Sequence, residues 1–307
     1  MDHPRVWLIT GTSSGFGRRL VSSVLLRGDR VIASARTIES IRDTHIFPSS
    51  DNLRLLELDV SADEETLRSK VLEEALGFWG RIDVLVNNAG YSLKVLAEDA
   101  RLADFQKQFQ TNFYAPAILT NAVLPQMRSR KEGTIVMIGS RSSWNPIPVS
   151  TMLNEVPLYG ASKAALRVYT EGLAHELSSS GFPHIRLIIF EPSSFRTEKT
   201  VLGFPMQVPS PNPGDPAYDD LRARVQKSLE ALDLNQSGDP DKAVEVIVDV
   251  VRGEGCAEGK VGKELKGWPL YVPLGKEANR DIEAKCKTML GAVERWREVT
   301  DHLDFDD

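Results

Sequence analysis

A tyrosine and a lysine that could move a proton lie four residues apart in the stretch Tyr159-Gly160-Ala161-Ser162-Lys163. The stretch opens a segment with helical periodicity, so the phenol and the ammonium would be neighbours on one helix face. A cation beside a phenol favours the phenolate and lowers a pKa that is ordinarily about 10. Such a tyrosine can donate and accept protons near neutral pH. The same spacing is common on solvated helix faces, so the rest of the chain must decide between the two interpretations.

Three glycines form a second pattern, directly after the first apolar run of the chain. Gly11, Gly15 and Gly17 lie between a predicted strand at residues 6–10 and a helical pattern. Glycines at this point allow a tight turn and let backbone N–H groups approach a pyrophosphate at the helix N-terminus. The spacing Gly-x-x-x-Gly-x-Gly differs from the Gly-x-Gly-x-x-Gly fingerprint, and a glycine-rich turn without a ligand is the alternative. The flanking strand and helix favour dinucleotide binding.

Strand and helix patterns alternate around these residues. Strands are predicted at residues 6–10, 30–35, 53–60, 82–86, 133–139 and 185–190, and helices at residues 64–79, 102–127 and 158–179. This alternation predicts parallel strands joined by right-handed crossovers. Although the length alone suggests about two domains, no linker interrupts the pattern. We therefore predict one doubly wound Rossmann-type α/β domain over residues 1–307, with a mostly parallel sheet flanked by helices.

The regular alternation of strand and helix patterns ends after Pro192. Residues 203–217 contain five prolines without periodicity, and a long irregular segment in an α/β domain is typically a functional lid or disordered. We predict a substrate lid at about residues 195–235, which includes a short amphipathic helix at 218–232. A helix at 240–251, an edge strand at 270–274 and a C-terminal helix at about 278–299 follow, before an acidic tail.

The composition limits the partners and the cell compartment that we expect for this protein. A formal net charge of -6 gives no electrostatic reason to expect nucleic acid or an anionic membrane as partner. No apolar run approaches the ~18 residues that span a bilayer, and residues 1–10 lack the pattern of a signal peptide. Cys256 and Cys286 predict free thiols in a reducing cytosol, and the five scattered histidines predict no metal site. We expect a cytoplasmic protein.

An ordered set of short elements resembles the short-chain dehydrogenase/reductase family. These elements are Thr10-Gly11-x-x-x-Gly15-x-Gly17, Asp59-Val60, Asn87-Asn88-Ala89-Gly90, Asn112, Ser140 and Tyr159-x-x-x-Lys163. The resemblance runs from about residue 6 to residue 197 and more loosely to the C-terminus. It implies an oxidoreductase that transfers a hydride between a nicotinamide and a carbonyl or secondary alcohol, and assembly as a homo-dimer or homo-tetramer through the long helices.

The resemblance also implies roles for individual residues. Tyr159 would donate the proton to the developing alkoxide, Ser140 would hydrogen-bond that oxygen, and Lys163 would lower the tyrosine pKa and hold the nicotinamide ribose. Asn112 would help a water to relay protons to the lysine; without the other members it would be an ordinary helix asparagine. The expected cofactor contacts are Gly11, Thr12, Ser13, Ser14, Gly15, Phe16, Gly17, Arg36, Asp59, Val60, Asn88, Ala89, Gly90, Tyr159, Lys163, Pro192, Ser194 and Thr197. Of these, Asp59 and Val60 would lie against the adenine.

The choice between NADP(H) and NAD(H) can be argued from charge. In dinucleotide folds an acidic residue at the end of the second strand holds the ribose hydroxyls, whereas an arginine accommodates a 2′-phosphate. Here that strand ends in Ala35-Arg36, with no carboxylate. Arginine suits bidentate phosphate contact, and an exposed strand-end arginine without a ligand is the alternative. We predict NADP(H).

Two features concern the substrate side. Ser142 and Ser143 compete with Ser140, which we prefer because it directly follows the predicted fifth strand. Residues 144–156 lengthen the separation from Ser140 to Tyr159 beyond what the family usually shows, and read as an insertion. Residues 92–95, this insertion and the lid would bound the pocket. Their apolar side chains, which favour a bulky and mostly apolar substrate unless they simply pack on the protein, are Trp144, Met152, Leu153, Phe195, Phe204 and Met206.

One departure from the family pattern follows the sixth strand. Ser193 replaces the glycine of the usual Pro-Gly, which would make a positive φ less accessible there. A regulatory protein that binds the cofactor but turns over weakly is the alternative function on the same fold. The presence of Asn112, Ser140, Tyr159 and Lys163 together argues against it, because a sensor would need only the cofactor loop.

Overall fold

Seven parallel strands form the sheet that the alternating pattern predicts. The computed structural model describes residues 3–42, 46–144, 157–198, 215–232, 236–261 and 267–305. The strands in these ranges are β1 (Val6–Ile9), β2 (Arg30–Ala35), β3 (Leu53–Glu57), β4 (Val84–Asn87), β5 (Gly133–Ile138), β6 (Ile185–Pro192) and β7 (Tyr271–Leu274). Their spatial order is β3-β2-β1-β4-β5-β6-β7, and each neighbouring pair is parallel. The doubly wound α/β fold is therefore confirmed.

Helices connect the strands and cover both faces of the sheet. They are α1 (Gly15–Leu26), α2 (Glu39–Arg42), α3 (Glu64–Ser69), α4 (Leu76–Trp79), α5 (Leu102–Phe109), α6 (Ala115–Arg130), α7 (Pro157–Ser179), α8 (Asp219–Leu232), α9 (Pro240–Arg252) and α10 (Lys276–Thr300). A π-helical segment, Lys70–Ala75, joins α3 to α4, and a second, Gln110–Tyr114, joins α5 to α6. Each of these two helix–π–helix units corresponds to one continuous helix in the prediction.

Alternation along β1 shows how the two faces are filled. Val6 and Leu8 point into a core formed with α3, α6 and α7, where Leu67, Leu119 and Leu166 are fully or almost fully buried. Trp7 and Ile9 point to the other face and pack against α1 and α9. Because both faces are covered, the strands read as continuous apolar runs rather than as alternating ones.

The predicted boundaries differ from the observed ones in a few places. The third strand ends at Glu57 rather than at residue 60, because its partner β2 ends at Ala35, which pairs with Glu57. The helical spacing of residues 64–79 predicts Leu72 on the apolar face of this helix, but the residue is 49% exposed. It lies inside the Lys70–Ala75 π segment, whose wider turn changes which side chains face the core. The predicted edge position of the last strand is confirmed, with Pro273 in β7.

The described parts of the chain contain no helix that is both long enough and apolar enough to cross a membrane.

Candidate active site

The candidate site lies where the carboxyl ends of β1, β4, β5 and β6 meet at one edge of the sheet. The chain leaves β1 toward β2 on one side, whereas β4 lies on the other side, so the loops after β1 and β4 border the topological switch point, where sheets of this kind have their ligand crevice. The loop after β1 carries the glycines, and the loop after β4 carries Asn88, Ala89 and Gly90. A Cβ placed on Gly11 would lie 2.9 Å from the Ala89 Cα, so the two loops are in direct contact.

The glycine loop needs its glycines for two separate reasons. Gly11 and Gly15 have φ values of 70° and 61°, in the left-handed region that glycine adopts without strain. Gly17 has an ordinary φ, but a Cβ there would lie 2.3 Å from the Gly11 carbonyl oxygen. The loop therefore folds back on the first turn of α1 so closely that any side chain at position 17 would displace it.

Asn88 holds the two loops together. Its Nδ2 donates to the Thr10 carbonyl at 2.8 Å, and the Thr10 hydroxyl accepts from the backbone N–H groups of Asn88 at 3.0 Å and Ala89 at 2.9 Å. Thr12 in turn donates from its backbone N–H to the Ser34 carbonyl of β2 at 2.9 Å. These hydrogen bonds fix the backbone of both loops that border the crevice.

The N-terminus of α1 already binds an anionic group of the chain itself. The Gly15 N–H donates to the Glu198 carboxylate at 2.8 Å, and the other oxygen of that carboxylate pairs with Arg19 at 2.7 Å. Burial opposes ionisation of Glu198, but the Gly15 N–H and Arg19 outweigh it and lower its pKa. The N-terminus of α1 thus binds a carboxylate, and a site that binds this anion also fits the pyrophosphate of a dinucleotide.

The residues expected around the adenine end are placed at the ends of β2 and β3. Arg36 directly follows β2 and is exposed. The Asp59 carboxylate accepts from the backbone N–H of Ser61 at 2.9 Å and from its hydroxyl at 2.8 Å, so it closes a turn after β3. Val60 is buried, with 9% of its surface exposed.

Lys163 is fully enclosed. Its ammonium donates to the Ile138 carbonyl at the end of β5, at 2.7 Å, and 4% of the residue is exposed. Burial lowers the pKa of Lys163 to about 8, although the charge of Glu191 opposes that change. The ammonium is therefore held at a fixed point between α7 and the edge of the sheet.

Asn112 lies in the π-helical segment Gln110–Tyr114 and is completely buried. Its Nδ2 donates to the Tyr91 carbonyl at 2.9 Å and to the Ser162 hydroxyl at 3.0 Å, while its Oδ1 accepts from the Tyr91 N–H at 3.2 Å. A Cβ on Gly90 would lie 3.3 Å from the Asn112 Oδ1 and 3.5 Å from the Lys163 Nζ. Gly90, Asn112 and Lys163 therefore converge at one point.

Ser140 begins a short 3-10 turn, Arg141–Ser143, after β5. Its hydroxyl lies 2.8 Å from the Ser142 hydroxyl and accepts from the Ser142 N–H at 3.2 Å. The first turn of α7 packs on this turn, since a Cβ on Gly160 would lie 3.1 Å from the Ser142 carbonyl oxygen. Tyr159 directly precedes Gly160, so it lies in the part of α7 that borders the Arg141–Ser143 turn. The residue is half-buried.

Glu191 is a site residue that the sequence did not single out. It lies in β6, is completely buried, and its carboxylate accepts from the Ser140 N–H at 2.5 Å and from the Trp144 indole at 3.0 Å. Burial raises its pKa to about 7, although these hydrogen bonds and the charge of Lys163 oppose the shift. The available signal was a charged residue at the end of an otherwise apolar strand, which is rare in a core.

The loop after β6 does not need the positive φ that a glycine at position 193 would supply, and its contacts explain why a serine fits there. The backbone of Ser193 is not among the positive-φ positions of the described residues. Its hydroxyl accepts from the Ala278 N–H at 2.9 Å, in the first turn of α10. Ser193 therefore ties this loop to α10, and needs none of the freedom that a glycine would supply. Pro192 ends β6, and the Thr197 methyl lies 3.7 Å from where a Gly15 Cβ would be.

Two of the expected pocket side chains pack on the protein. The Phe195 ring contacts Phe16 edge-to-face, with centroids 5.1 Å apart. The Trp144 ring lies against Tyr271 and beneath the Arg167 guanidinium, 4.3 Å from its centroid. Met152, Leu153, Phe204 and Met206 lie outside the described residues, as does most of the expected insertion at residues 144–156.

Comparisons with known proteins agree with this geometry. A sequence model of the short chain dehydrogenase family matches residues 5–203. Oxidoreductase BOA17 of Botryotinia fuckeliana is 28% identical over 96% of this chain and 98% of its own. A short-chain dehydrogenase structure from Streptomyces avermitilis is 30% identical with a TM-score of 0.76 and covers 99% of both chains. ElxO, solved with NADP bound, is 26% identical with a TM-score of 0.61 over 80% of this chain and 90% of that one.

The matched family region contains the glycine loop, the crevice between β1 and β4, and the Tyr159 to Lys163 stretch. Sequence, fold and site geometry thus agree on one assignment: the chain belongs to the short-chain dehydrogenase/reductase family of oxidoreductases.

Proposed function

We propose that the protein is an NADP(H)-dependent oxidoreductase that interconverts a carbonyl group and a secondary alcohol. The observation that carries this proposal is the convergence of Lys163 and Asn112 on Gly90, in the loop after β4. A buried ammonium beside a glycine-lined crevice is suited to hold a ribose hydroxyl and to act on a neighbouring phenol. When bound, the dinucleotide supplies or accepts the hydride.

The residues of the chain would handle the proton and the oxygen. In the direction of reduction, the Tyr159 hydroxyl donates its proton to the oxygen that becomes the alcohol, and the Ser140 hydroxyl donates a hydrogen bond to the same oxygen. The Lys163 ammonium favours the phenolate that Tyr159 becomes. Asn112 holds the loop after β4 through the backbone N–H and carbonyl of Tyr91, and it would order a water that resupplies the proton.

Other residues would bind and orient the cofactor. The backbone of residues 11–17 and the N-terminus of α1 would take the pyrophosphate, while Asp59 and Val60 would border the adenine. Gly90, Pro192, Ser194 and Thr197 would line the nicotinamide side.

The preference for NADP(H) rests on Arg36. An exposed guanidinium after β2, without a carboxylate beside it in sequence, suits a 2′-phosphate. Structures of similar proteins have been solved with NADP and with NAD, so the family alone does not decide between the two cofactors.

The experiment that tests this function follows NADPH absorbance with a panel of ketones and aldehydes of increasing apolar size. We expect oxidation of NADPH with at least one bulky carbonyl, and much slower oxidation with NADH. Tight NADPH binding without turnover of any member would instead support a cofactor-binding regulator.

A further inference from the structure

The C-terminal part of α10 has no partner within the described chain. Every residue from 286 to 300 is exposed, although the first turns of the same helix are packed on the domain. A helix that projects alone into water is only marginally stable, because most helical stability in proteins comes from packing one face. The projecting part of α10 therefore needs something to cover it.

Four exposed side chains of α10 follow the spacing of a coiled coil, and the exposed Leu290 and Val299 flank them. Cys286, Met289, Val293 and Trp296 are separated by three, four and three residues, which places them on one stripe. Met289, Val293 and Trp296 are 51%, 51% and 58% exposed. Ile282 continues the stripe toward the domain, and Thr300 continues it toward the C-terminus.

Charged residues of alternating sign run along one edge of this stripe. In order they are Arg280, Glu283, Lys287, Glu294, Arg297 and Asp301. All six are exposed; Glu283 and Arg297 lie next to the stripe, whereas the other four lie further round the helix. The edge is open to solvent even in the first turns of α10, where the opposite edge, including Ala278 and Asp281, is buried against the domain.

We propose that α10 pairs with α10 of a second copy of this chain in an antiparallel coiled coil centred between Leu290 and Gly291. In that register Met289 faces Val293 of the second copy, and Cys286 faces Trp296. The two charges next to the stripe are then self-complementary, because Glu283 of each copy meets Arg297 of the other. Each copy therefore contributes one carboxylate and one guanidinium to the seam, and the two pairs are related by symmetry.

The charges exclude the other ways of covering the stripe. In a parallel coiled coil Glu283 and Arg297 would lie beside Ala278 and Ala292 of the second copy, where neither charge is met. A helix that lies on an anionic membrane carries mostly Lys and Arg on its polar face, whereas this edge alternates in sign. The pairing is independent of the proposed reaction, since it rests only on α10.

The base of α10 is anchored at the candidate site. Arg141, directly after Ser140, forms a buried ion pair with Asp281 at 2.6 Å, and the Ser193 hydroxyl accepts from the Ala278 N–H. The resemblance predicts dimers or tetramers through the long helices of the family, and pairing through α10 would add a second kind of contact.

Sedimentation equilibrium of the full chain tests this pairing. We expect Val293→Glu to lower the oligomeric state by a factor of two, because it buries a charge at the centre of the seam. Glu298→Lys, on the opposite face of α10, should leave the assembly unchanged. An unchanged mass for Val293→Glu would overturn the proposal, as would a wild-type monomer that binds vesicles of anionic lipid.

A charge exchange tests the register. Arg297→Glu and Glu283→Arg should each weaken the association by at least tenfold, and the double variant should restore most of the wild-type affinity. Restoration requires that these two positions face each other across two copies. A double variant that associates no better than the single ones would rule out the antiparallel register.

Discussion

The Glu191 carboxylate accepts a hydrogen bond of 2.5 Å from the backbone N–H of Ser140. This contact joins β6 to the start of the Arg141–Ser143 turn, and the charge of the buried acid raises the pKa of the buried Lys163. A Cβ on Gly139 would lie 2.5 Å from the same carboxylate oxygen, so the close approach also depends on the absence of a side chain at position 139. The position of Ser140 is thus fixed from a residue on a different strand.

The raised pKa of Glu191 predicts a pH dependence of stability. Burial holds its pKa at about 7, compared with 4.5 for an ordinary glutamate. The folded protein therefore keeps a proton that the unfolded chain releases, so the free energy of unfolding should fall between about pH 4.5 and 7 and level off above. The loss contributed by this group is up to about 3 kcal/mol. Urea titrations of wild type and Glu191→Gln should show this slope only in the wild type; equal slopes would contradict the assignment.

The same variant should change the pH profile of turnover. Because the charge of Glu191 raises the pKa of Lys163, its removal should let burial depress that pKa below about 8. We expect the alkaline limb of kcat/KM for reduction to move to lower pH in Glu191→Gln. A reduced rate with an unmoved alkaline limb would mean that Glu191 acts on packing alone.

Glu198 should compete with the cofactor for the N-terminus of α1. Its carboxylate is bonded to the Gly15 N–H, where a pyrophosphate would bind, and two anions repel each other there. Glu198→Gln should tighten NADP+ binding by about two- to tenfold, which corresponds to the magnitude of one helix-terminus charge. Isothermal titration calorimetry measures the change, with the exposed Glu258→Gln as the matched control. Weaker binding in Glu198→Gln would show that the carboxylate supports the cofactor loop.

Arg36 should set the choice of cofactor. Arg36→Asp replaces a phosphate partner with a carboxylate suited to ribose hydroxyls, so the ratio of kcat/KM for NADPH to that for NADH should fall by at least about tenfold. Arg42→Asp, a change of the same charge on the exposed end of α2, should leave the ratio nearly unchanged. An unaltered preference in Arg36→Asp would remove Arg36 from the cofactor site.

Asn112 should contribute to stability through its three hydrogen bonds. Asn112→Ala leaves the backbone carbonyl of the partly buried Tyr91 and the hydroxyl of the buried Ser162 without this partner, which should cost about 1–3 kcal/mol. Asn121→Ala, at an exposed position of α6, is the control and should change the free energy of unfolding by less than about 0.5 kcal/mol. Equal losses in the two variants would contradict the structural role of Asn112.

The sequence predicts the sheet and the glycine loop well because both depend on local pattern. Apolar runs that alternate with amphipathic helices indicate a parallel sheet, and Gly11 and Gly15 have φ values that favour glycine. The role of Glu191 could not be predicted from local pattern, because its partners Ser140 and Trp144 are about fifty residues away in the chain and contact it only in the folded protein. The position of the Phe195 ring could not be predicted either. An apolar residue after a strand can line a pocket or pack on Phe16, and only the tertiary structure decides between the two.

The most direct test of the proposed reaction is the turnover of Tyr159→Phe, measured together with NADP+ affinity. Tyr169→Phe, which removes a hydroxyl from the same helix at a contact with Asn121, is the matched control. We predict a loss of at least about a thousandfold in kcat for Tyr159→Phe with an NADP+ dissociation constant within about twofold of wild type. Turnover in Tyr159→Phe equal to that of Tyr169→Phe would contradict Tyr159 as the proton donor.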